Sequence, residues 1–284
     1  MICFFIGLLC AAALILFGVM LYDSNRFVTV EYRIRCRGLK RKYQFVMLSD
    51  LHNKCYGKHN ERLFAAICAQ KPESVLIAGD MLTSRLPERF GPALELTERL
   101  AERFPVYYAN GNHEYRMKTD EECYGTGYVR YHDELVKKGV VFLENDSVCL
   151  SEAGIRLYGA EIGKEYYQKM KQGRMTVSYL ESLIGRPEKG AYNILIAHNP
   201  DYFPVYAGWG ADLVLSGHVH GGIMRLPVLG GVISPSLRLF PKYDGGCFRE
   251  GESTMILGRG LGSHTVPIRI FNPGELIVVS LEPE

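Results

Sequence analysis

The sequence predicts an α/β layered fold behind an N-terminal transmembrane helix. Three observations carry this reading: an uncharged apolar stretch from Ile2 to Tyr22, five short apolar runs that each end in glycine or polar residues, and helical periodicities between those runs.

The apolar stretch is long enough to cross a bilayer as a helix, which takes about 20 residues. A cleaved signal peptide would have a basic start, an apolar region of about 7 to 15 residues and a small-residue cleavage site. No Lys or Arg precedes this stretch, and Asp23, Ser24, Asn25 and Arg26 offer no such site. Residues 1–24 are therefore read as a retained single-pass anchor. Arg26, Arg33, Arg35 and Arg37 all lie on its C-terminal side, which favours a cytoplasmic location for the body of the protein.

Residues 25–42 read as a basic juxtamembrane strand or linker. Val28, Val30, Tyr32, Ile34 and Cys36 alternate with Arg33, Arg35 and Arg37, the period of a half-buried strand. A solvated strand face explains the basic run as readily as contact with anionic lipid headgroups does. The net charge of +2 is uneven, because residues 1–42 hold seven Lys and Arg against two acids. The remainder has 26 basic and 29 acidic residues, a balance of −3 that argues against a nucleic-acid scaffold. Eight scattered cysteines form neither a disulfide framework nor a CxxC zinc motif. No obligate protein partner is inferred.

Residues 43–284 read as one catalytic domain. Phe45–Leu48 leads into Asp50 and His52, Val75–Ala78 into Gly79 and Asp80, and Val106–Ala109 into Gly111, Asn112, His113 and Glu114. Ile194–Ala197 then leads into His198, and Leu213–Leu215 into Gly217, His218 and His220. Runs of this kind are strands buried on both faces. Helical spacing appears at Leu63, Phe64 and Ile67, again at Leu94, Leu96 and Leu100, and from Val129 to Lys138. After Gly221 the chain is rich in Gly and Pro, and the pieces Thr254–Leu257 and Glu275–Leu281 suggest an antiparallel completion of the sheets.

Ligands gather at the carboxyl ends of strands in such folds, and five of the eight histidines fall there. His59, His132 and His264 are read as ordinary surface residues. A single Asp-x-His or Gly-Asp is commonly a turn. Five such phrases in order are better explained by metal, since buried charged groups must be paired or coordinate an ion.

This ordered series, Asp50-x-His52, Gly79-Asp80, Gly111-Asn112-His113-Glu114, His198 and Gly217-His218-x-His220, resembles the calcineurin-like metallophosphoesterase family. The preceding span and the late Gly258-Arg259-Gly260-Leu261-Gly262 segment, with Pro267, Ile268 and Arg269, are similar to its membrane-associated YaeI/YkuE-type phosphodiesterases. The resemblance implies a four-layer α-β-β-α sandwich and two divalent metal ions per chain. It assigns one ion to Asp50, His52, Asp80 and His220, and the other to Asp80, Asn112, His198 and His218, with Asp80 bridging. A shared hydroxide would attack phosphorus, and His113 would protonate the leaving oxygen, its ring oriented by Glu114 or Asp50. The donor set suits Mn, Fe, Zn or Co, and the resemblance favours Mn.

The implied reaction is hydrolysis of a phosphodiester or pyrophosphate. An anchored enzyme suggests a lipid-linked substrate, and UDP-2,3-diacylglucosamine, cleaved by enzymes that resemble this subgroup, is the most specific candidate. Arg85, Arg259 and Arg269 are candidate phosphate clamps, with a surface or structural role as the equal alternative for each. The alternatives are a broad phosphomonoesterase, a mononuclear hydrolase acting on another bond, and a membrane-tethered binding or scaffold module.

Overall fold

A computed structural model describes residues 1–85, 90–168, 173–222, 224–226, 230–232, 239–263 and 268–284. Helix α1 (Ile2–Ser24) leads into β1 (Phe27–Cys36), β2 (Tyr43–Leu48), α2 (Glu61–Ala69), β3 (Ser74–Ala78), α3 (Gly91–Ala101) and β4 (Val106–Ala109). Helices α4 (Asn112–Thr119), α5 (Glu121–Tyr124) and α6 (Gly127–Lys137) follow, then β5 (Val141–Phe142), β6 (Asp146–Leu150) and β7 (Ile155–Ala160). The chain continues through α7 (Val177–Ile184), β8 (Tyr192–Ala197), α8 (Phe203–Trp209) and β9 (Leu213–Ser216). It closes with β10 (Arg225–Leu226), β11 (Gly230–Gly231), β12 (Gly246–Glu250), β13 (Ser253–Leu257) and β14 (Gly274–Pro283).

Two six-stranded sheets result, ordered β1-β14-β2-β3-β4-β5 and β12-β13-β9-β8-β7-β6. Strand alternation explains how they stack. On β2, Phe45 and Met47 meet Ile194 and Ile196 of β8 in a core between the sheets, with Leu215 and Ile277 in the same cluster. Val46 and Leu48 point the other way, into a core with Leu63, Ile67, Leu96 and Tyr131 from α2, α3 and α6. Leu195 and Val214 likewise pack outward against Leu180, Phe203 and Tyr206 of α7 and α8. Three apolar layers thus separate helices, sheet, sheet and helices, which is the α-β-β-α sandwich.

The central strands β2, β3 and β4 are parallel, as are β7, β8 and β9, so their carboxyl ends share one rim. The C-terminal strands complete both sheets in mixed fashion rather than the purely antiparallel one expected. Strand β14 runs antiparallel to β2 but parallel to β1 along ten paired residues, and β13 runs parallel to β9. Strand β1 is therefore an edge strand of the first sheet. Thr29, Glu31, Arg33 and Arg35 are exposed while Val30, Tyr32 and Ile34 are half-buried, the alternation expected from the sequence.

Helix α1 has 23 residues, a mean hydropathy of 2.8 in its most apolar window, and no packing against the body over that window. It is long and apolar enough to cross a membrane. Its last turn is different, because Asp23 is buried and accepts hydrogen bonds from Arg26 Nε at 3.0 Å and from the Asn272 backbone at 3.1 Å.

Ile196 is fully buried between the sheets. Ile196→Ala is expected to lower unfolding free energy by about 2–5 kcal/mol, read as a reduced urea midpoint of the detergent-solubilised chain with an unchanged slope.

Candidate metal centre

The rim gathers the residues that followed the predicted strands. Asp50 and His52 leave β2, Asp80 leaves β3, Asn112 and His113 open α4 after β4, His198 follows β8, and His218 and His220 follow β9. Three groups of ligand atoms each converge within 4.8 Å: Asp50, His52 and His220; His52, Asp80 and His113; and Asp80, His198 and His218. Asp80 belongs to two of them. Its Oδ2 lies 3.0 Å from His198 Nε2, 3.9 Å from His52 Nε2 and 4.0 Å from His113 Nε2. Asp50 Oδ1 lies 3.4 Å from His220 Nε2 and 3.7 Å from His198 Nε2.

Tight turns aim these side chains. Asp50, His52, Asp80, His218 and His220 all have φ between 49° and 74°, a left-handed conformation that costs about 1–3 kcal/mol per non-glycine residue and concentrates at functional sites. The turns brace one another: Asp50 N–H donates to Gly79 C=O at 2.9 Å, and His52 N–H to Asp80 C=O at 3.1 Å. Backbone approaches so closely that side chains are excluded. A Cβ on Gly217 would collide with the Asp50 carboxylate, and one on Gly79 with the Gly111 backbone.

The histidines divide by what their Nδ1 atoms touch. In His52, His198 and His220, Nδ1 faces a backbone carbonyl, of Leu82 at 2.9 Å, Ala78 at 2.6 Å and Gly262 at 3.3 Å. Only an Nδ1–H satisfies a carbonyl, so in the neutral ring Nε2 is left with its lone pair towards the site. His113 is the reverse: its Nδ1 accepts the Ser84 backbone N–H at 2.8 Å, with Ser84 Oγ also at 2.8 Å. The neutral ring then carries its proton on Nε2, aimed at Asp80.

Charge follows from this crowding. Burial raises the Asp80 carboxyl, but His198, His113 and His52 outweigh it and hold the group well below the usual carboxylate range. Burial disfavours a charged His198, yet Asp80 and Asp50 push its imidazolium up to about 10. Burial and the His198 charge press His218 down to about 4.

These residues fit a pair of cations on two counts. Asp50 Oδ2 and Asn112 Oδ1 are buried without a hydrogen-bond partner. Buried polar atoms of that kind call for an ion or water. The donors are nitrogen and oxygen without thiolate, which suits Mn, Fe, Zn or Co.

Several expectations change here. Ser84, rather than Glu114 or Asp50, contacts the His113 ring; nothing in the local pattern marked it. Glu114 instead caps α4 and grips the neighbouring loops, accepting from Gly111 N–H at 3.0 Å, Asp80 N–H at 2.9 Å, Leu82 N–H at 2.9 Å and Tyr108 Oη at 3.0 Å. Arg269 is not placed as a phosphate clamp. It is buried and donates to the carbonyls of Arg259, Gly260, Gly262 and Asn272. Arg259 is paired with Glu275 at 2.5 Å. Arg85 is exposed beside Ser84. Tyr167, unanticipated, sets its ring 5.2 Å from His218. Of the remaining histidines, His59 is exposed and pairs with Glu95, and His132 is half-buried on α6, while His264 and Pro267 lie outside the described residues.

Comparison with known proteins places this site in context. The calcineurin-like phosphoesterase profile matches residues 43–222. The Bacillus subtilis metallophosphoesterase YkuE is 25% identical over 84% of this chain and 79% of its own length. Phosphodiesterase YaeI of Escherichia coli is 24% identical over 87% of this chain and 86% of its own. A transmembrane protein with metallophosphoesterase domain from Danio rerio is 26% identical over 84% of this chain and 53% of its own.

Gly217→Ala drives a methyl group into the Asp50 carboxylate. The expected outcome is metal affinity weakened by about 10–100-fold, the usual effect of disturbing a ligand's support, measured by elemental analysis after dialysis against graded metal concentrations.

Proposed function

The chain belongs to the calcineurin-like phosphoesterase family and is a hydrolase acting on phosphoester bonds, and from that premise we propose that it cleaves a phosphodiester or pyrophosphate at the rim described above. The observation that carries the reading is the opposed Nδ1 partners of the rim histidines. Three rings turn Nδ1 to a backbone carbonyl and Nε2 to the site, so each would offer a lone pair there once neutral, and a fourth turns Nδ1 to a backbone N–H.

Asp50, His52, Asp80 and His220 would hold one divalent ion, and Asp80, Asn112, His198 and His218 the other. A pair of such ions supplies, when bound, an acidified water and neutralisation of phosphate charge. We favour Mn on the family resemblance, with Fe, Zn or Co as alternatives of the same donor chemistry.

The chain's own groups do the rest. His113 holds its proton on Nε2 because Ser84 N–H occupies Nδ1, so the ring is oriented to protonate a departing oxygen. Glu114 keeps the Asp80 and Gly111 loops in register. Tyr167 borders the site beside His218, where a substrate group would pass.

The substrate reading rests on α1. One helix long and apolar enough to span a bilayer supports single-pass anchoring, and the Arg-rich stretch after it supports a cytoplasmic catalytic body. An anchored phosphoesterase is suited to an amphiphilic substrate. A lipid-linked pyrophosphate such as UDP-2,3-diacylglucosamine is the most specific candidate.

Hydrolysis of bis-p-nitrophenyl phosphate with Mn, Fe, Zn or Co tests the reading. Asp80→Ala is expected to abolish turnover and reduce bound metal below two ions per chain. His113→Gln should keep the metal and lose about 10²–10⁴-fold in kcat, with a smaller loss for diesters whose leaving group is acidic enough to depart unprotonated. Absence of turnover with any of these metals in the loaded wild-type protein would sink the proposal.

A further inference from the structure

Two aromatic residues outside the metal centre have backbone that their side chains should avoid. Phe240 has φ 46° and Phe271 has φ 53°, yet they are 58% and 47% exposed. A bulky residue in the left-handed region is a genuine outlier, and an exposed phenyl ring gains no burial to offset it. Leu239, next to Phe240, is 67% exposed. Strained backbone that holds apolar side chains in solvent suggests a function.

Their place in the fold supplies one. Phe271 immediately precedes Asn272, whose backbone N–H donates to Asp23 Oδ2 in the last turn of α1. The same Asn272 donates through Nδ2 to the carbonyls of His220 at 2.8 Å and Gly222 at 2.7 Å. On the other side of the helix end, Lys54 Nζ donates to Ser24 C=O, two residues past His52. The terminus of α1 is thus clasped by the loop that carries His52 and by Asn272, which in turn holds the loop of His220.

A ladder of backbone pairings connects the two aromatics. Arg225 N–H donates to Ile270 C=O, Val232 N–H to Met224 C=O, and Phe240 N–H to Val232 C=O. Three strand-to-strand steps of about 4.8 Å separate Phe271 from Phe240, a span of roughly 15 Å. Exposed Lys242 lies two residues beyond Phe240, placed to meet lipid phosphate.

We propose that Leu239, Phe240 and Phe271 form a second membrane contact which, together with α1, seats the metal-site rim against the headgroup layer. The proposal rests on reading α1 as a membrane span. Continuity of the patch with the end of that helix selects a bilayer as its occupant, because apolar side chains at the boundary insert where a span emerges. The rim would then take a phosphate at headgroup level, from a substrate whose acyl chains stay in the membrane.

Tryptophan scanning tests this on the full chain reconstituted in vesicles of phosphatidylcholine and phosphatidylglycerol with acyl chains brominated near the glycerol. The single native tryptophan, Trp209, is buried at the end of α8 and gives a constant background. Phe240→Trp and Phe271→Trp are expected to show added emission that is blue-shifted and quenched by bromine, as is Tyr22→Trp at the end of α1. Val136→Trp, on α6 beside β5 at the sheet edge opposite β1, should not be quenched. Near-ultraviolet circular dichroism confirms that each variant is folded. Quenching at Tyr22 without quenching at 240 and 271 overturns the contact and leaves the anchor standing. No quenching at any of the three overturns both.

Discussion

Asp50 and Asp80 impose the constraint around which the rest is arranged: two carboxylates, 0% and 2% exposed, sharing one small volume. Withdrawing each from water costs several kcal/mol unless opposite charge and hydrogen bonds compensate. The structure brings compensation from every direction. His113 N–H donates to Asp80 Oδ1 at 2.9 Å, His218 N–H donates to Asp50 Oδ1 at 2.9 Å, and four imidazoles stand within 4.0 Å of one carboxylate or the other. The donors come from the ends of four strands, β2, β4, β8 and β9, so the parallel rim is the geometric condition for holding these charges. Five of the rim residues accept left-handed backbone, and the three apolar layers beneath supply the stability that tolerates it.

Backbone polarity then sets how each neutral histidine faces the rim. A carbonyl beside Nδ1 leaves the lone pair on Nε2; an amide N–H beside Nδ1 leaves the proton there. His52 and His113 illustrate the rule at close range, because their rings pack edge to face 5.0 Å apart and yet present opposite faces of the same chemistry. The difference traces to two neighbouring residues of one loop, Leu82 offering its carbonyl and Ser84 its amide. Glu114 holds that loop by accepting from Asp80 and Leu82 N–H, and burial together with Asp80 lifts its own carboxyl to about 7. Loop conformation and histidine protonation are therefore one problem with one solution.

Much of the site was legible because its signal is local. An apolar run that breaks into glycine and a metal-binding residue announces a buried strand and a loop at its end, and five such breaks in order located every proposed ligand. The helices from Glu61, Gly91 and Gly127 were visible for the same reason, as periodicities within single segments. What stayed hidden depends on pairing between distant residues. Strand β14 inserts between β1 and β2, joining positions more than two hundred residues apart, and no short window encodes that choice. Ser84 escaped notice because its contribution is a main-chain N–H, which every residue but proline possesses. Arg269 stayed undecided between clamp and structural residue for the opposite reason: whether its five donors face outward or are taken by carbonyls is settled only by the fold.

That arginine also explains how the apolar helix and the rim share one frame. Four carbonyls from residues 259–272 converge on its guanidinium, a concentration of acceptors that only a planar, permanently charged donor satisfies. With those carbonyls so held, Gly260 and Gly262 can press against Asp50 and Leu51, where any side chain would collide. Asn272, at the far end of the same segment, reaches His220 on one side and Asp23 on the other. Displacing the end of α1 must therefore strain a segment that also backs Asp50 and supports His220. The buried Arg269, its donors taken by carbonyls, thus joins the apolar helix and the charged rim through one set of hydrogen bonds.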